Sequence, residues 1–294
     1  MAALPSVAAL LLIAANALRA NASDTLFVEQ RAVGSFQQAT RLTVNPQGWV
    51  YVIDAERNAV FLLNDSDSAV AAVGGYGWTM TTFDRPTGLA TDGLNVYVSD
   101  YNNHRIQRFD RFLNFVSSFS TRDTDFVAAR FGYPRGVALS RLGDMFILDG
   151  ENSRILKFVG STQFERSFGG IDDQRGKVEE PIKILVGSND HVYVLEQARL
   201  LEYDYFGNYV RTIGGGILSD ARGFDVGEGR IVVAAKDTLY WFSDRGELLR
   251  LTPKATLLTS SPLGPLEDVA LVRDRLYVLT AKKLFLFKVV PVGD

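Results

Sequence analysis

The sequence contains no cysteine and only two histidines among its 294 residues. Without thiols the protein can form no disulfide and cannot carry a lipid attached to an N-terminal cysteine. The thiolate and histidine-rich zinc sites that proteins commonly use are excluded for the same reason. The sequence therefore predicts no metal site of these kinds, and a fold of this size has to be stabilised by its hydrophobic core alone.

The sequence also lacks an excess of basic residues. It has 31 Lys and Arg against 34 Asp and Glu, which gives a formal net charge of −3 at pH 7. Nucleic-acid-binding proteins normally need a basic surface that neutralises phosphates. We therefore expect no nucleic-acid partner. The sequence likewise shows no EF-hand-like calcium loop, no phosphate-binding P-loop and no nucleophile elbow.

One long apolar stretch is present, and it lies at the N-terminus. Residues 3–18, ALPSVAALLLIAANAL, carry no charge, and the small residues of ANA (20–22) fit a signal peptidase site. This pattern predicts a signal peptide over residues 1–22 and export to the periplasm, the cell envelope or the extracellular space. Because no Lys or Arg precedes the run, retention as an anchor is the alternative. No later stretch is apolar enough to span a bilayer.

The remainder, residues 23–294, is built from a repeat. Short apolar strands recur six times with an aromatic or β-branched residue at one position. These marker residues lie 39 to 49 residues apart: Tyr51, Tyr97, Phe146, Tyr193, Val232 and Tyr277. A period in the forties made entirely of short strands is typical of four-stranded propeller blades. The sequence therefore predicts a single all-β domain, a six-bladed β-propeller.

The two ends of the repeat region predict how the ring closes. The sixth unit ends after its third strand, KLFLFK (283–288), and so lacks an outer strand. Conversely, TLFVEQRAVGSF (25–36) precedes the first unit and belongs to none. We expect the N-terminal strand to complete blade six, because this pairing removes an open seam with unpaired backbone groups.

Two of the repeats carry a family resemblance. PTGLATDGLNVYVSDYNNHRIQRFD (86–110) and PRGVALSRLGDMFILDGENSRILKF (134–158) resemble the NHL repeat almost position by position. The resemblance extends over roughly residues 25–294 and is weakest in the last two units. It implies an exported propeller with NHL-type blades. Related lyases hold a metal with channel histidines, and related lactonases hold calcium with acidic and amide side chains. This protein lacks those histidines and has mostly arginine at the channel mouth, so we expect no cofactor, while a single divalent ion in the channel stays open.

Polar residues recur at the turn between the second and third strands of the first three units. A catalytic triad needs one nucleophile and one base in one place, whereas these residues are spread around a ring. We therefore interpret them as corner residues, in which Asp and Asn hold turn amides and Arg braces the carboxylate. The predicted corner residues are Asp54, Asp100, Asn103, Arg105, Asp149, Asn152 and Arg154.

A second set lies where the first strand of each unit begins, nearest the predicted central channel. Aligning the repeats places Arg41, Arg135, Arg222 and Glu267 at one position, together with Thr87 and Ile182. If this position faces the channel mouth, three guanidinium groups converge there and suit a carboxylate, phosphate or sulfate. The alternative is that these arginines are solvated or brace neighbouring loops.

The loops between units are long and varied, as binding loops on a rigid scaffold commonly are. The candidate binding residues on them are Tyr76, Trp78, Phe126, Arg130 and Tyr133. We expect Trp78 and Phe126 to be exposed, and Phe83 and Phe131 to pack between blades. The corners also differ: the marker residue lies 9 positions before the third strand in units one to three and 7 in units four to six.

These observations favour an exported, non-catalytic binding scaffold that presents its loops to a protein or a glycan. One alternative is a lactonase-like hydrolase or lyase with its site at the channel mouth, where the arginines would orient an anionic substrate. Another is a structural subunit of a cell-envelope complex, in which a partner covers the divergent blades five and six.

Overall fold

The computed structural model describes residues 25–64 and 69–291, and nearly all regular structure in these ranges is β-strand. The strands form six sheets of four antiparallel strands each. The innermost strands of successive sheets contact one another all the way round, so the sheets are the blades of a closed ring. The prediction of an all-β, six-bladed propeller is confirmed.

The strands are numbered in chain order and given blade by blade from the central channel outward. They are β2 (Ala39–Val44), β3 (Val50–Asp54), β4 (Ala59–Leu63) and β5 (Ala69–Gly74) in blade one; β6 (Pro86–Thr91), β7 (Asn95–Asp100), β8 (Arg105–Asp110) and β9 (Phe115–Phe119) in blade two; β10 (Gly136–Leu139), β11 (Met145–Asp149), β12 (Arg154–Val159) and β13 (Gln163–Phe168) in blade three; β14 (Lys183–Val186), β15 (Val192–Leu195), β16 (Leu200–Tyr203) and β17 (Tyr209–Ile213) in blade four; β18 (Ala221–Gly227), β19 (Arg230–Ala235), β20 (Thr238–Ser243) and β21 (Leu248–Pro253) in blade five; and β22 (Leu266–Val272), β23 (Arg275–Thr280), β24 (Leu284–Pro291) and β1 (Thr25–Val33) in blade six. Two 3₁₀ turns, Val127–Ala129 and Lys254–Thr256, lie in the connecting loops.

The N-terminal strand closes the ring, as the sequence predicts. β1 pairs antiparallel with β24, so that blade six is assembled from both ends of the repeat region. Phe27 of β1 is buried and stacks on Trp241 of blade five, with ring centroids 5.9 Å apart. The closing strand therefore binds its own blade through the backbone and the neighbouring blade through an aromatic contact.

The hydrophobic core lies between the blades rather than in one central mass. Six clusters of buried side chains each join two neighbouring blades, and the ring of clusters is complete. The second strands contribute most, since every residue of β3 and β11 is buried. Strands covered on both faces are apolar along most of their length, which explains the apolar runs that mark the repeat. The buried carboxylates that end β3 and β11, Asp54 and Asp149, have hydrogen-bond partners.

The innermost strands begin with an extra residue. In blades one, two, five and six the register with the second strand shifts by one, at Thr40, Thr87, Arg222 and Glu267. The residues that follow are therefore equivalent around the ring. They are Arg41, Gly88, Gly136, Lys183, Gly223 and Asp268.

Three of these six positions are glycines because the innermost strands come very close together. A Cβ atom on Gly223 would lie 2.1 Å from Oδ1 and 2.6 Å from Cα of Asp268. One on Gly88 would lie 2.7 Å from Cα of Gly136. No side chain fits at these distances, so the ring closes at its present radius only with glycine there.

We expect Gly223→Ala to destabilise the protein by about 1–3 kcal/mol, the usual cost of overpacking a close contact. Gly227→Ala is the matched control on the same strand, because its Cβ would meet the backbone oxygen of Leu271 at 3.6 Å, an ordinary contact. Urea unfolding of both variants and the wild type measures the difference. Equal midpoints for the two variants would show that the glycine at position 223 is not required by packing.

Candidate functional site

The loops that enter each blade and the turns between its second and third strands lie at the same end of the ring, here called the loop face. In blades one to four, a carboxylate at the end of the second strand links this turn to the entering loop. Each accepts a hydrogen bond from a backbone N–H of the loop that enters its own blade: Asp54 from Gln37 (2.7 Å), Asp100 from Asp84 (2.8 Å), Asp149 from Gly132 (3.1 Å) and Glu196 from Glu179 (2.6 Å).

In blade two the corner residues form hydrogen bonds with the preceding loop as well as within their own turn. Asp100 is fully buried, and Nε of Arg105 donates to it at 2.8 Å. The other nitrogens of Arg105 donate to the backbone oxygens of three residues in the preceding loop, at 2.8–3.0 Å: Trp78, Thr79 and Thr82. Nδ2 of Asn103 donates to the backbone oxygen of Gly77 at 2.8 Å. The corner therefore fixes the backbone of residues 77–82.

Blade three repeats this arrangement in a reduced form. Nε of Arg154 donates to Asp149 at 3.1 Å, and Nη2 donates to the backbone oxygen of Arg130 at 2.8 Å. Nδ2 of Asn152 donates to Asp149 at 2.8 Å. In blade one Nε of Arg57 lies 3.7 Å from Asp54. Of these three corners, the corner of blade two therefore donates the most hydrogen bonds to the preceding loop.

The loop that Arg105 holds leaves large side chains in solvent. Tyr76, Trp78 and Met80 are 73%, 78% and 66% exposed. On the next loop Phe126 is 57% exposed, although its ring packs edge-on against Phe164 at 5.5 Å. The prediction that Trp78 and Phe126 are exposed is confirmed.

The two phenylalanines expected to pack between blades do so, since Phe83 and Phe131 are buried. Arg130 is exposed, and its Nε donates to the backbone oxygen of Thr124 at 2.7 Å. Arg130 therefore stabilises the shape of its own loop, which also carries Phe126.

Tyr133 and His104 form a small polar cluster between blades two and three. The backbone N–H of Tyr133 and Nη1 of Arg122 both donate to Nδ1 of His104, at 3.1 and 3.0 Å. Two donors at Nδ1 place the imidazole proton on Nε2. Partial burial, and next the Arg122 cation, lower the pKa of His104, so the neutral ring links the two blades.

The three channel-mouth arginines do not occupy one position. Because Thr40 is the extra residue in blade one, Arg41 lies one place further along its strand than Arg135 and Arg222, and the sequence alignment is wrong for Arg41. Arg41 crosses the channel, where Nη2 donates to the backbone oxygen of Ile182 at 2.9 Å. Nη1 of Arg222 donates to Glu267 at 2.8 Å. Arg222 therefore braces the adjacent blade, as in the alternative stated for these arginines, whereas Arg41 braces the opposite blade.

Sequence reasoning missed the main charged contact of the channel. Nζ of Lys183 donates to both oxygens of Asp268, at 2.7 and 2.9 Å, and both residues are buried. Asp268 also accepts the backbone N–H of Leu42 at 3.0 Å. The sequence did contain a sign of this contact. Where the first strand begins, blades two and three have glycine as the third residue of PTG (86–88) and PRG (134–136), whereas blades four and six have a charged residue there, in PIK (181–183) and LED (266–268).

These side chains border a cavity of about 10 Å³ on the side of blades one to four, lined by Arg41, Thr87, Arg135 and Lys183 among others, which is room for about one water molecule. Within residues 25–64 and 69–291, no group of three or more His, Asp or Glu residues gathers in a way that could hold a metal ion. Nor does any helix in these ranges have the length and apolarity to cross a membrane.

We expect His104 to titrate below the ordinary value of about 6.5, because burial and the Arg122 cation both disfavour its charged form. Its contribution to stability is then complete above that value and is lost as the pH falls through the lowered pKa. NMR titration of the imidazole signals measures it, with His191→Gln as the assignment control. Arg122→Gln should raise the pKa of His104; a wild-type pKa at or above 6.5 would contradict this description.

The sequence comparisons match the second blade most clearly. The NHL repeat family model matches residues 83–109, which run from the end of the entering loop to the third strand of that blade. Over 149 residues, 48% of this chain, the sequence is 28% identical to "Protein brain tumor" of Drosophila melanogaster. The match covers 13% of the length of that protein.

The structural comparisons extend over the ring. A virginiamycin B lyase from Staphylococcus aureus superposes with a TM-score of 0.60 at 10% identity, covering 90% of this chain and 99% of that one. A protein of unknown function from Bacteroides thetaiotaomicron superposes with a TM-score of 0.63 at 12% identity, covering 92% and 74%. At these identities the likeness concerns the fold alone. This chain is a six-bladed β-propeller with an NHL repeat in its second blade.

Proposed function

We propose that this protein is an exported, non-catalytic scaffold that docks a protein partner on the loop face of blades one to three. The observation that carries the proposal is the loop of residues 76–82. Its backbone is fixed by Arg105 and Asn103, while Tyr76, Trp78 and Met80 are exposed. Tyr, Trp and Met are among the residue types enriched at the cores of protein interfaces.

Rigidity explains why such a loop suits binding. Ordering a mobile loop on association costs free energy that has to be subtracted from the contacts formed. Here Arg105 donates hydrogen bonds to three backbone oxygens of the loop and is itself held by the buried carboxylate of Asp100. The loop is therefore ordered before any partner binds. Burial of Trp78 would then contribute to affinity with little loss of conformational freedom.

The same observations weigh against the two alternatives. An enzyme site at the channel mouth that used Arg41 or Arg222 would first have to break their contacts with Ile182 and Glu267. If the protein were a structural subunit whose partner covers blades five and six, the fixed loop between blades one and two would take no part in that contact. Export rests on the apolar run within residues 1–22, which lie outside the described residues, and it stays part of the proposal.

A cross-linking experiment tests the docking surface. A photo-reactive phenylalanine analogue at position 78 of residues 23–294 should cross-link a specific protein in an extract of the native envelope. Leu142 is the matched control site, because it is 75% exposed on the opposite face. Trp78→Ala should weaken binding of the identified partner by about 2 kcal/mol, roughly 30-fold, whereas Leu142→Ala should leave it unchanged.

Two outcomes would contradict the proposal. Equal labelling from positions 78 and 142 would show that cross-linking reports exposure rather than docking. A partner whose affinity is insensitive to Trp78→Ala would show that it binds elsewhere. A cross-linked species that resists protease and is released by glycosidase would identify a glycan instead of a protein.

We also propose that the scaffold works without a metal ion. The channel carboxylate of Asp268 already has Lys183 as its partner, and the corner carboxylates of Asp54 and Asp100 accept backbone and side-chain donors. The melting temperature of residues 23–294 should therefore be the same with and without EDTA, and metal analysis should find no stoichiometric ion. A bound metal with a melt that falls by several degrees on chelation would restore the lactonase-like alternative.

A further inference from the structure

Two guanidinium groups from successive blades lie within 6 Å of the centre of the Tyr101 ring. Cζ of Arg85 lies 4.6 Å and Cζ of Arg135 lies 5.9 Å from its centroid. Tyr101 belongs to the corner of blade two, Arg85 to the loop that enters blade two, and Arg135 directly precedes β10. Two cations from successive blades therefore lie near one aromatic ring at the edge of the channel mouth.

These two arginines are among those of the loop face that have no carboxylate partner in the described part of the chain. Within the part of the sequence that the structure describes, neither guanidinium forms an ion pair with a carboxylate. Each of four neighbouring arginines does so: Arg105 with Asp100, Arg122 with Glu151, Arg154 with Asp149 and Arg222 with Glu267. The Tyr101 ring attracts each cation but does not remove the repulsion between them. Such a pair of cations is poised to receive an anion.

The backbone of Arg85 is held firmly in place. Its φ of 61° lies in the left-handed region, and its N–H donates to Oδ1 of Asn58, in the corner of blade one, at 2.7 Å. Its carbonyl accepts the backbone N–H of Tyr101 at 3.3 Å. The backbone that carries the Arg85 side chain is thus fixed by blades one and two, and its guanidinium lies 4.6 Å from the Tyr101 centroid.

We propose that Arg85 and Arg135, held over Tyr101, form a receptor for a carboxylate of the docking partner, supplied by an acidic side chain or by the partner's terminal carboxylate. This inference rests on the proposed function and specifies the chemistry of the partner. The planar fork of a guanidinium matches a carboxylate geometrically. Exposed Tyr133 lies beside the receptor, since its ring centroid is 5.2 Å from that of Tyr101.

The observations favour a carboxylate over a nucleic-acid backbone. Nucleic-acid binding depends on neutralising many phosphates along a strand, whereas here two cations lie near the Tyr101 ring and the sequence carries a formal net charge of −3. Asp84 precedes Arg85 directly, and Glu151 pairs with Arg122 on the same face. These negative charges would repel a polyanion more strongly than a single carboxylate.

Titration with small anions tests the receptor directly. Residues 23–294, labelled with ¹⁵N, are titrated with sodium acetate in one arm and sodium phosphate in the other, at constant ionic strength. The arginine Nε–Hε signals report binding. We expect saturable acetate shifts at Arg85 and Arg135, and an acetate dissociation constant at least tenfold weaker in Arg85→Asn and in Arg135→Gln.

The variants are chosen to keep the fold. Asn tolerates a left-handed φ better than Arg does, so Arg85→Asn should melt at or above the wild-type temperature. Arg135→Lys keeps the charge and loses the fork, and should also bind acetate less tightly. Arg245→Gln is the control, because Arg245 is an exposed arginine in a turn on the opposite face, and it should leave acetate binding unchanged.

Shifts that never saturate, or equal shifts at Arg245, would overturn the proposal. Saturation by phosphate but not by acetate would overturn it as well, since the receptor would then select phosphate. The titration needs no partner protein. Its failure would leave the cross-linking result at Trp78 untouched, and a failed cross-link would leave a positive titration standing.

Discussion

A ring of six sheets has one seam, and everything else in this propeller depends on the pairing that seals it. β1 and β24 come from opposite ends of the repeat region, yet they pair over the whole length of β1. An open seam would expose an unpaired strand edge and uncover the apolar faces of blades five and six. Because the seam is closed, each blade packs against two neighbours through a buried cluster. The loops that leave the ring therefore start from fixed points.

The channel layer places a second constraint on the ring. Glycine at positions 88, 136 and 223 lets the innermost strands approach, and the side chains of Arg41, Lys183 and Asp268 occupy the space between them. Buried ion pairs contribute little net stability, but removal of one partner leaves an uncompensated charge that costs about 3–5 kcal/mol. The pair between Lys183 and Asp268 therefore specifies how blades four and six face each other.

Fold and site were predictable from the sequence to different degrees. The blades and their number follow from the periodic apolar strands, which can be recognised locally in the sequence. The closing strand follows from counting strands, because the sixth unit lacks its outer one. The position of Arg41 was not predictable in the same way, because the hairpin between β2 and β3 is one residue longer than the equivalent hairpins of blades two, five and six, whereas all four blades share the one-residue bulge. The reach of Arg105 to Trp78 and the convergence on Tyr101 join residues of different loops. Repeat alignment compares equivalent positions and does not report contacts between non-equivalent ones.

The corner carboxylate explains why one sector of the loop face is suited to binding. The position is Asp54, Asp100, Asp149 and Glu196 in blades one to four, and each side chain accepts an N–H of the entering loop. In blades five and six the same register position is Ala235 and Thr280. Alanine cannot accept such a hydrogen bond, and the Thr280 hydroxyl instead bonds to Lys283 in its own turn. Blades five and six thus lack this carboxylate contact, which blade four keeps despite its shorter corner, and a partner that requires preformed loops would dock on blades one to four.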